Sequence, residues 1–127
     1  MNRRAAEMRT EETVEVLEAS GALFGYLHGS RAAGAHRGDS DIDVAAFYGD
    51  DAPQSYDILL PPMVDLIVLD HAPLELAGRI AARGRLLFEV DRVARVRWES
   101  MTRKIYFDEL PRISRAHDEF AASVRHD

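Results

Sequence analysis

The residues best suited to chemistry are a Gly29-Ser30 pair, an Asp41-Ile42-Asp43 triplet ten residues later, and an isolated acid, Asp65. Side chains two positions apart in a strand point to the same face, so Asp41 and Asp43 would stand side by side. At about 4 Å and an effective dielectric of ~20, two such charges repel by roughly 4 kcal/mol. A divalent cation offsets that repulsion, because Mg²⁺ binds one or two carboxylates together with phosphate oxygens. The pair therefore predicts a metal site.

The Gly-Ser pair predicts a phosphate site beside these acids. It ends a predicted strand and opens a short helix, where backbone N–H groups and the Ser30 hydroxyl can surround an anion. Gly29 would let the backbone approach the phosphate closely. Arg31 and Arg37 flank the pair, and either could steady a pyrophosphate.

Asp65 is predicted to be the third carboxylate of the site. It interrupts the apolar run 63–69, and an acid buried in such a run is costly unless it is paired or bound to metal. Three carboxylates that face a phosphate site suit an in-line displacement assisted by two metal ions.

Simpler interpretations of the same residues remain open. Asp39-Ser40-Asp41 is also typical of a polar turn, and Asp65 could form a salt bridge to one of the basic residues. Asp57 and Asp70 are weaker candidates for the third acid, because both are expected at the ends of strands or loops. His28 is expected to be a strand histidine satisfied by a backbone partner rather than a phosphate ligand.

The elements that would position these residues follow from apolar patterning. The strand 63–69 is expected to be buried on both faces in the middle of the sheet. Ser30 is expected to cap the short helix. The last third of the chain is expected to form one or two helices. The order predicts an α/β fold, a small mixed sheet of about four strands flanked by helices, in a single domain spanning 1–127. The predicted elements are helix 2–20, strand 24–28, helical turn 31–35, strand 41–47, strand 63–69, helix 73–83 and strand 85–91.

Composition excludes several classes of function. The 127 residues contain no cysteine, which excludes disulfides, thiol nucleophiles and cysteine zinc sites. A formal net charge of −6 argues against direct nucleic-acid binding through the overall field. The charged first twelve residues do not resemble a signal peptide, and no apolar run is long enough to span a membrane. We expect a cytoplasmic protein without membrane contact.

The motif resembles that of the DNA polymerase β-like nucleotidyltransferase superfamily: Gly29-Ser30, ten residues, Asp41-Ile42-Asp43, and then Asp65 within Val-Asp-Leu-Ile-Val. The surroundings Arg31-Ala32-x-Gly34 and Asp39-Ser40-Asp41 are similar to its minimal nucleotidyltransferase (MNT) branch. Members of that branch are typically antitoxins paired with a HEPN-domain toxin RNase.

The resemblance implies a polymerase β-like palm core, two Mg²⁺ ions and ATP as substrate. Asp41 and Asp43 would bind both metals, Asp65 would complete the catalytic site, and Gly29, Ser30 and Arg31 would bind the nucleotide. The implied activity is AMPylation, the transfer of AMP from ATP to a tyrosine of the HEPN toxin, which acts as partner and forms a hetero-oligomer with the antitoxin.

Two alternatives belong to different classes of function. The chain could neutralise a toxin by covering it, with little or no catalysis. It could also modify a small molecule, as the aminoglycoside nucleotidyltransferases do. Those enzymes usually carry an additional helical domain, which we do not expect these 127 residues to form. The acceptor is therefore expected to come from another protein.

Overall fold

The computed structural model describes residues 1–34 and 41–125, so Arg37, Asp39 and Ser40, which the sequence analysis named, lie outside the described residues. A four-stranded sheet lies at the centre, with β1 antiparallel to both β2 and β4 and β2 parallel to β3. Its spatial order is β3-β2-β1-β4. The predicted mixed sheet is thus confirmed. The strands are β1 (Phe24–His28), β2 (Ile42–Phe47), β3 (Val64–Val68) and β4 (Arg85–Glu89).

Within residues 1–34 and 41–125, four α-helices flank the sheet in the predicted order, and residues 92–125 form one continuous helix. The short helix α2 begins two residues earlier than predicted, directly after His28, and no side chain caps it. The prediction that Ser30 caps this helix is wrong, because Ser30 lies within its first turn. The helices are α1 (Arg3–Ala19), α2 (Gly29–Ala32), α3 (Leu74–Arg83) and α4 (Arg92–Arg125), and single 3₁₀ turns lie at Ser55–Asp57 and Leu69–His71.

Alternating side chains of the strands form two cores, one on each face of the sheet. Ile42 and Val44 of β2 belong to the core that contains Leu17 of α1. Ala45 of β2 belongs to the opposite core, together with Ile80 of α3. Asp43 has the same parity as Ala45, so strand geometry directs it to the face covered by α3 and α4.

Aromatic packing fixes the start of α4 on this second face. The Trp98 ring centroid lies 5.7 Å from that of Phe24 and 5.7 Å from that of Tyr26. The Tyr26 hydroxyl donates a 2.5 Å hydrogen bond to Glu99. Further along, Tyr106 packs directly on Gly78 of α3, where a Cβ would collide with its ring. The two helices therefore pack closely.

The 34 residues of α4 extend well beyond the sheet. At 1.5 Å per residue such a helix is about 50 Å long, whereas a strand of five or six residues spans less than about 20 Å. Pro111 lies inside this helix without ending it. Of the helices in residues 1–34 and 41–125, none combines the length and apolar character needed to cross a membrane.

The third strand differs from its prediction. We expected it in the middle of the sheet, but among the described strands β3 lies at the edge and pairs only with β2. Its inward face is covered by the connection that precedes it, because Ile58 and Leu60 pack on the same core as Val64 and Leu66. A loop, rather than a second neighbouring strand, thus accounts for the apolar run. Asp65 is consequently exposed and not buried as predicted.

Candidate active site

The register of the sheet brings three polar residues into one row. His28 at the end of β1 is opposite Asp43 of β2, and Asp43 is opposite Asp65 of β3. Adjacent strands are about 4.8 Å apart, so the row spans roughly 10 Å. The two acids that the sequence places 22 positions apart are therefore direct neighbours in the fold.

Asp41 joins this row from the residue just before β2. The pKa of Asp65 is raised by partial desolvation, by the negative charge of Asp41, by a hydrogen bond between the Asp65 and Asp41 side chains, and by the charge of Asp43. A carboxylate whose neighbours disfavour its ionisation is in a site that a cation would stabilise. The structure thus brings all three predicted acids together, at the edge of the sheet that β3 leaves open.

The chemistry of these donors fits Mg²⁺, which prefers carboxylate oxygens. Within residues 1–34 and 41–125, no group of three or more acidic or histidine side chains is arranged so that it could bind a metal ion by itself. Mg²⁺ seldom requires such a set, because it keeps several waters and is usually bound by one or two carboxylates together with substrate phosphates. The acids therefore suit a metal that is shared with a nucleotide.

The predicted phosphate residues adjoin the acids. Gly29 has a φ of +71°, and a Cβ there would lie 2.5 Å from Oδ2 of Asp43. Glycine is therefore required both by the left-handed backbone and by the close approach of the carboxylate. Ser30 follows in the first turn of α2. The Arg31 Nε donates a 3.3 Å hydrogen bond to the backbone carbonyl of Asp41, which ties α2 to the start of β2.

His28 borders the acids on the opposite side from Asp65. Burial lowers its pKa and outweighs the opposing influences of Asp43 and of a backbone hydrogen bond to Val44. The expected backbone partner is thus present for the ring. Its Nε2, however, is buried and has no hydrogen-bond partner among the described residues.

The weaker acidic candidates have structural roles away from this row. Asp70 accepts hydrogen bonds from the backbone N–H groups of Tyr48, at 3.0 Å, and Gly49, at 2.8 Å. Asp57 accepts a 3.0 Å bond from the backbone N–H of Gln54. Both therefore stabilise turns around the sheet.

Sequence reasoning missed two arginines, Arg79 and Arg83 of α3. They line a cavity of about 410 Å³ whose wall also includes His28 and Gly29. Their spacing of four residues places them on one face of the helix, which the sequence could have shown. The sequence could not show that this face lies beside Gly29.

Comparison with known proteins identifies the family. Residues 11–93 match the family Polymerase beta, Nucleotidyltransferase. Because this match covers more than half of the chain, the protein belongs to that family, and the predicted superfamily is confirmed. No curated protein matches the chain in sequence.

Solved structures with this fold include components of toxin–antitoxin complexes. A toxin–antitoxin structure with AMP-PNP aligns with a TM-score of 0.68 and 20% identity, covering 87% of this chain and 98% of that one. The MntA-HepT toxin–antitoxin aligns with a TM-score of 0.64 and 17% identity, covering 90% and 98%. A tri-AMPylated Shewanella oneidensis HEPN toxin in complex with MNT antitoxin gives 0.55 and 19%, covering 87% and 98%. At these identities the likeness establishes the shared fold.

Proposed function

We propose that this nucleotidyltransferase is an MNT antitoxin that transfers AMP from ATP to a tyrosine of a HEPN-type toxin, in a reaction that requires Mg²⁺. The observation that carries the proposal is the row of carboxylates, with Asp43 and Asp65 paired across β2 and β3 and Asp41 beside Asp65, next to Gly29. The toxin–antitoxin complexes that share the fold, one with AMP-PNP and one with an AMPylated toxin, support the choice of substrate and partner.

Each proposed role follows from a position in the fold. Asp41, Asp43 and Asp65 would hold two Mg²⁺ ions, which supply activation of the attacking hydroxyl and charge neutralisation on the phosphates. Gly29 and Ser30 would bind the triphosphate where the backbone passes Asp43, and Arg31 would keep α2 fixed against β2 through its bond to Asp41. The tyrosine oxygen would form a bond to the α-phosphorus as the bond from that phosphorus to the α,β-bridging oxygen breaks; pyrophosphate leaves with the bonding electrons, and the hydroxyl proton passes to solvent water.

The open edge of the sheet supports an acceptor that comes from another protein. In the part of the chain that the structure describes, β3 has no neighbouring strand on its outer side, and Asp65 is exposed there. A side chain of a bound partner could therefore reach the carboxylates from solvent. The resulting complex is the proposed hetero-oligomer of antitoxin and toxin.

A second candidate, neutralisation by binding alone, is favoured by the apolar surface of α4. Phe107 is 54% exposed, Phe120 72% and Val124 55% on a helix that extends past the sheet. Exposed apolar surface of this kind often marks a protein interface. The acids have no function in this alternative, so their substitution would leave neutralisation unchanged.

Intact-mass spectrometry distinguishes the two. The co-expressed HEPN-type neighbour is incubated with this protein, ATP and Mg²⁺, and we expect its mass to increase in steps of one AMP. The increase should disappear with Asp43→Asn and on chelation of the metal. Asp50→Asn is the matched control, because Asp50 is an exposed acid of the turn after β2 and the chemical change is the same.

The opposite result is equally clear. If Asp43→Asn still modifies the toxin at the normal rate, the assignment of the carboxylates is wrong. The protein acts by binding if three results are found together: the toxin gains no AMP, Asp43→Asn and Asp50→Asn suppress toxicity equally, and a stable complex elutes from a sizing column.

A further inference from the structure

The cavity beside the acids separates the short helix α2 from α3. Its volume is about 410 Å³, and it opens next to Gly29, the residue that also contacts Asp43. One wall is formed by His28 and the start of α2. The other wall belongs to α3 and carries both aliphatic and cationic side chains, namely Leu76, Arg79, Ile80 and Arg83.

The two arginines of this wall have no anionic partner in the described part of the chain. The side chains of Arg79 and Arg83 form no ion pair and no hydrogen bond within residues 1–34 and 41–125. Arginines elsewhere do form such pairs, and Arg95 bonds to both Glu89 and Glu99. The chain has 22 acids for 16 bases, so a shortage of carboxylates does not explain the difference.

The positive charge of this wall reaches the row of acids. Arg79 is close enough to His28 to lower the pKa of that histidine, and His28 is opposite Asp43. The site thus has a negative side at Asp41, Asp43 and Asp65 and a positive side on α3, and Gly29 lies where the two meet. A linear polyanion that begins at the acids and passes Gly29 would enter the cavity.

We infer that Arg79 and Arg83 bind the β- and γ-phosphates of the nucleotide, and hence the pyrophosphate that leaves, in the cavity between α2 and α3. This inference rests on the proposed function for the identity of the substrate. Guanidinium groups suit the task, because their planar fork of donors matches phosphate oxygens and they remain charged at any working pH. Two arginines one helical turn apart can contact successive phosphates of one chain.

The competing occupant of the cavity is the nucleobase, which the aliphatic Leu76 and Ile80 would accommodate. The two arrangements predict different ligand dependence. If the arginines bind the terminal phosphates, substitution of the arginines weakens the binding of ATP and of pyrophosphate but not the binding of AMP. If the cavity holds the base, substitution weakens ATP and AMP alike.

Isothermal titration calorimetry in Mg²⁺, without any partner protein, tests the inference. ATP, AMP and inorganic pyrophosphate are titrated into the parent, Arg79→Ala, Arg83→Ala and the double variant. Each substitution should raise the Kd for ATP and for pyrophosphate about tenfold or more, whereas the Kd for AMP should change by less than about threefold. Arg97→Ala is the matched control, since Arg97 is exposed on α4, outside the residues that line the cavity. A melting curve for each variant checks that it is folded.

Each other outcome overturns the inference. If the binding of ATP and of AMP is weakened equally, the base lies in the cavity. If the binding of all three ligands is unchanged, the arginines do not contact the nucleotide. A parent protein that binds neither ATP nor pyrophosphate overturns both this inference and the proposed function. Arginine-dependent binding of ATP without transfer of AMP to the toxin overturns the proposed function alone.

Discussion

Replacement of Gly29 by alanine offers the sharpest test of the site geometry, because Gly34 provides a matched reference. Both glycines are left-handed, with φ of +71° and +73°. A residue with a Cβ costs about 1–2 kcal/mol in that region. Among the described residues, a Cβ at position 34 meets no atom within 4 Å, whereas one at position 29 meets the Asp43 carboxylate. Gly34→Ala therefore measures backbone strain alone, and Gly29→Ala adds displacement of an acid.

The size of that displacement follows from the structure. The added Cβ would lie 2.5 Å from Oδ2 of Asp43, and ordinary contacts begin at 3.4 Å, so the carboxylate must move by about 0.9 Å, the difference between these distances. A misplacement of about 1 Å in an active site can cost roughly 100-fold in rate. We expect Gly29→Ala to lose about 100-fold in AMP transfer, and Gly34→Ala to stay within about threefold of the parent. Both should lose about 1–2 kcal/mol of unfolding free energy.

The assay combines the initial rate of AMP incorporation into the toxin, at saturating Mg²⁺ and ATP, with urea unfolding of each variant. The unfolding data show whether the strain is equal in the two variants, which the comparison requires. If both variants lose the same activity, strain in the loop explains the loss. If Gly29→Ala keeps the parental rate, the contact between Gly29 and Asp43 has no part in catalysis.

Three further predictions concern pH and stability. The raised pKa of Asp65 means that its contribution to stability is fully present below its ordinary value of 3.8 and is lost as pH rises through the raised one. Without metal, the melting temperature of Asp65→Asn should thus equal that of the parent near pH 3 and exceed it increasingly as the pH rises. Addition of Mg²⁺ should remove this difference in melting temperature. A difference that does not change with pH would contradict the assignment. Tyr26→Phe removes a hydrogen bond to the charged Glu99 and should cost about 1.5–3 kcal/mol in urea unfolding, against about 0.5–1.5 for Tyr48→Phe, whose bond is neutral; equal losses would argue against the charged bond. Trp98→Ala removes the ring that packs on Phe24 and Tyr26 and should lower the free energy of unfolding by about 3–5 kcal/mol in the same assay. A decrease of less than about 1 kcal/mol would show that α4 is held by other contacts.

The local part of the site could be predicted from the sequence because its signals are local. Enrichment in aromatic and apolar residues predicted β1, and a run that alternates at its start and then becomes apolar predicted β2. The Gly-Ser pair marked the end of β1, and the two aspartates marked the start of β2. Which strands are neighbours is a different kind of information. The pairing of Asp43 with Asp65 depends on β3 lying parallel to β2, and no pattern within either strand specifies that register.

The error in β3 has the same origin. A continuous apolar run predicts burial on both faces, but it does not distinguish cover by a strand from cover by a loop. Here Ile58 and Leu60 cover one face, no described strand pairs with the outer edge, and Asp65 is exposed. The argument that a buried acid needs a metal therefore fails for Asp65. Its place in the site rests instead on its contact with Asp41 and its pairing with Asp43.

The exposure of Asp65 gives the site a direction that the sequence did not reveal. On the proposed roles, the negative side of the site lies at the open edge of the sheet, where a partner can deliver a hydroxyl. The positive side, with Arg79 and Arg83, lies at the opposite end of the same row, in a cavity within the chain. In-line displacement requires the attacking and leaving oxygens on opposite sides of the phosphorus. An open acidic edge at one end of the row and a basic cavity at the other meet that requirement, provided that the acceptor comes from the partner.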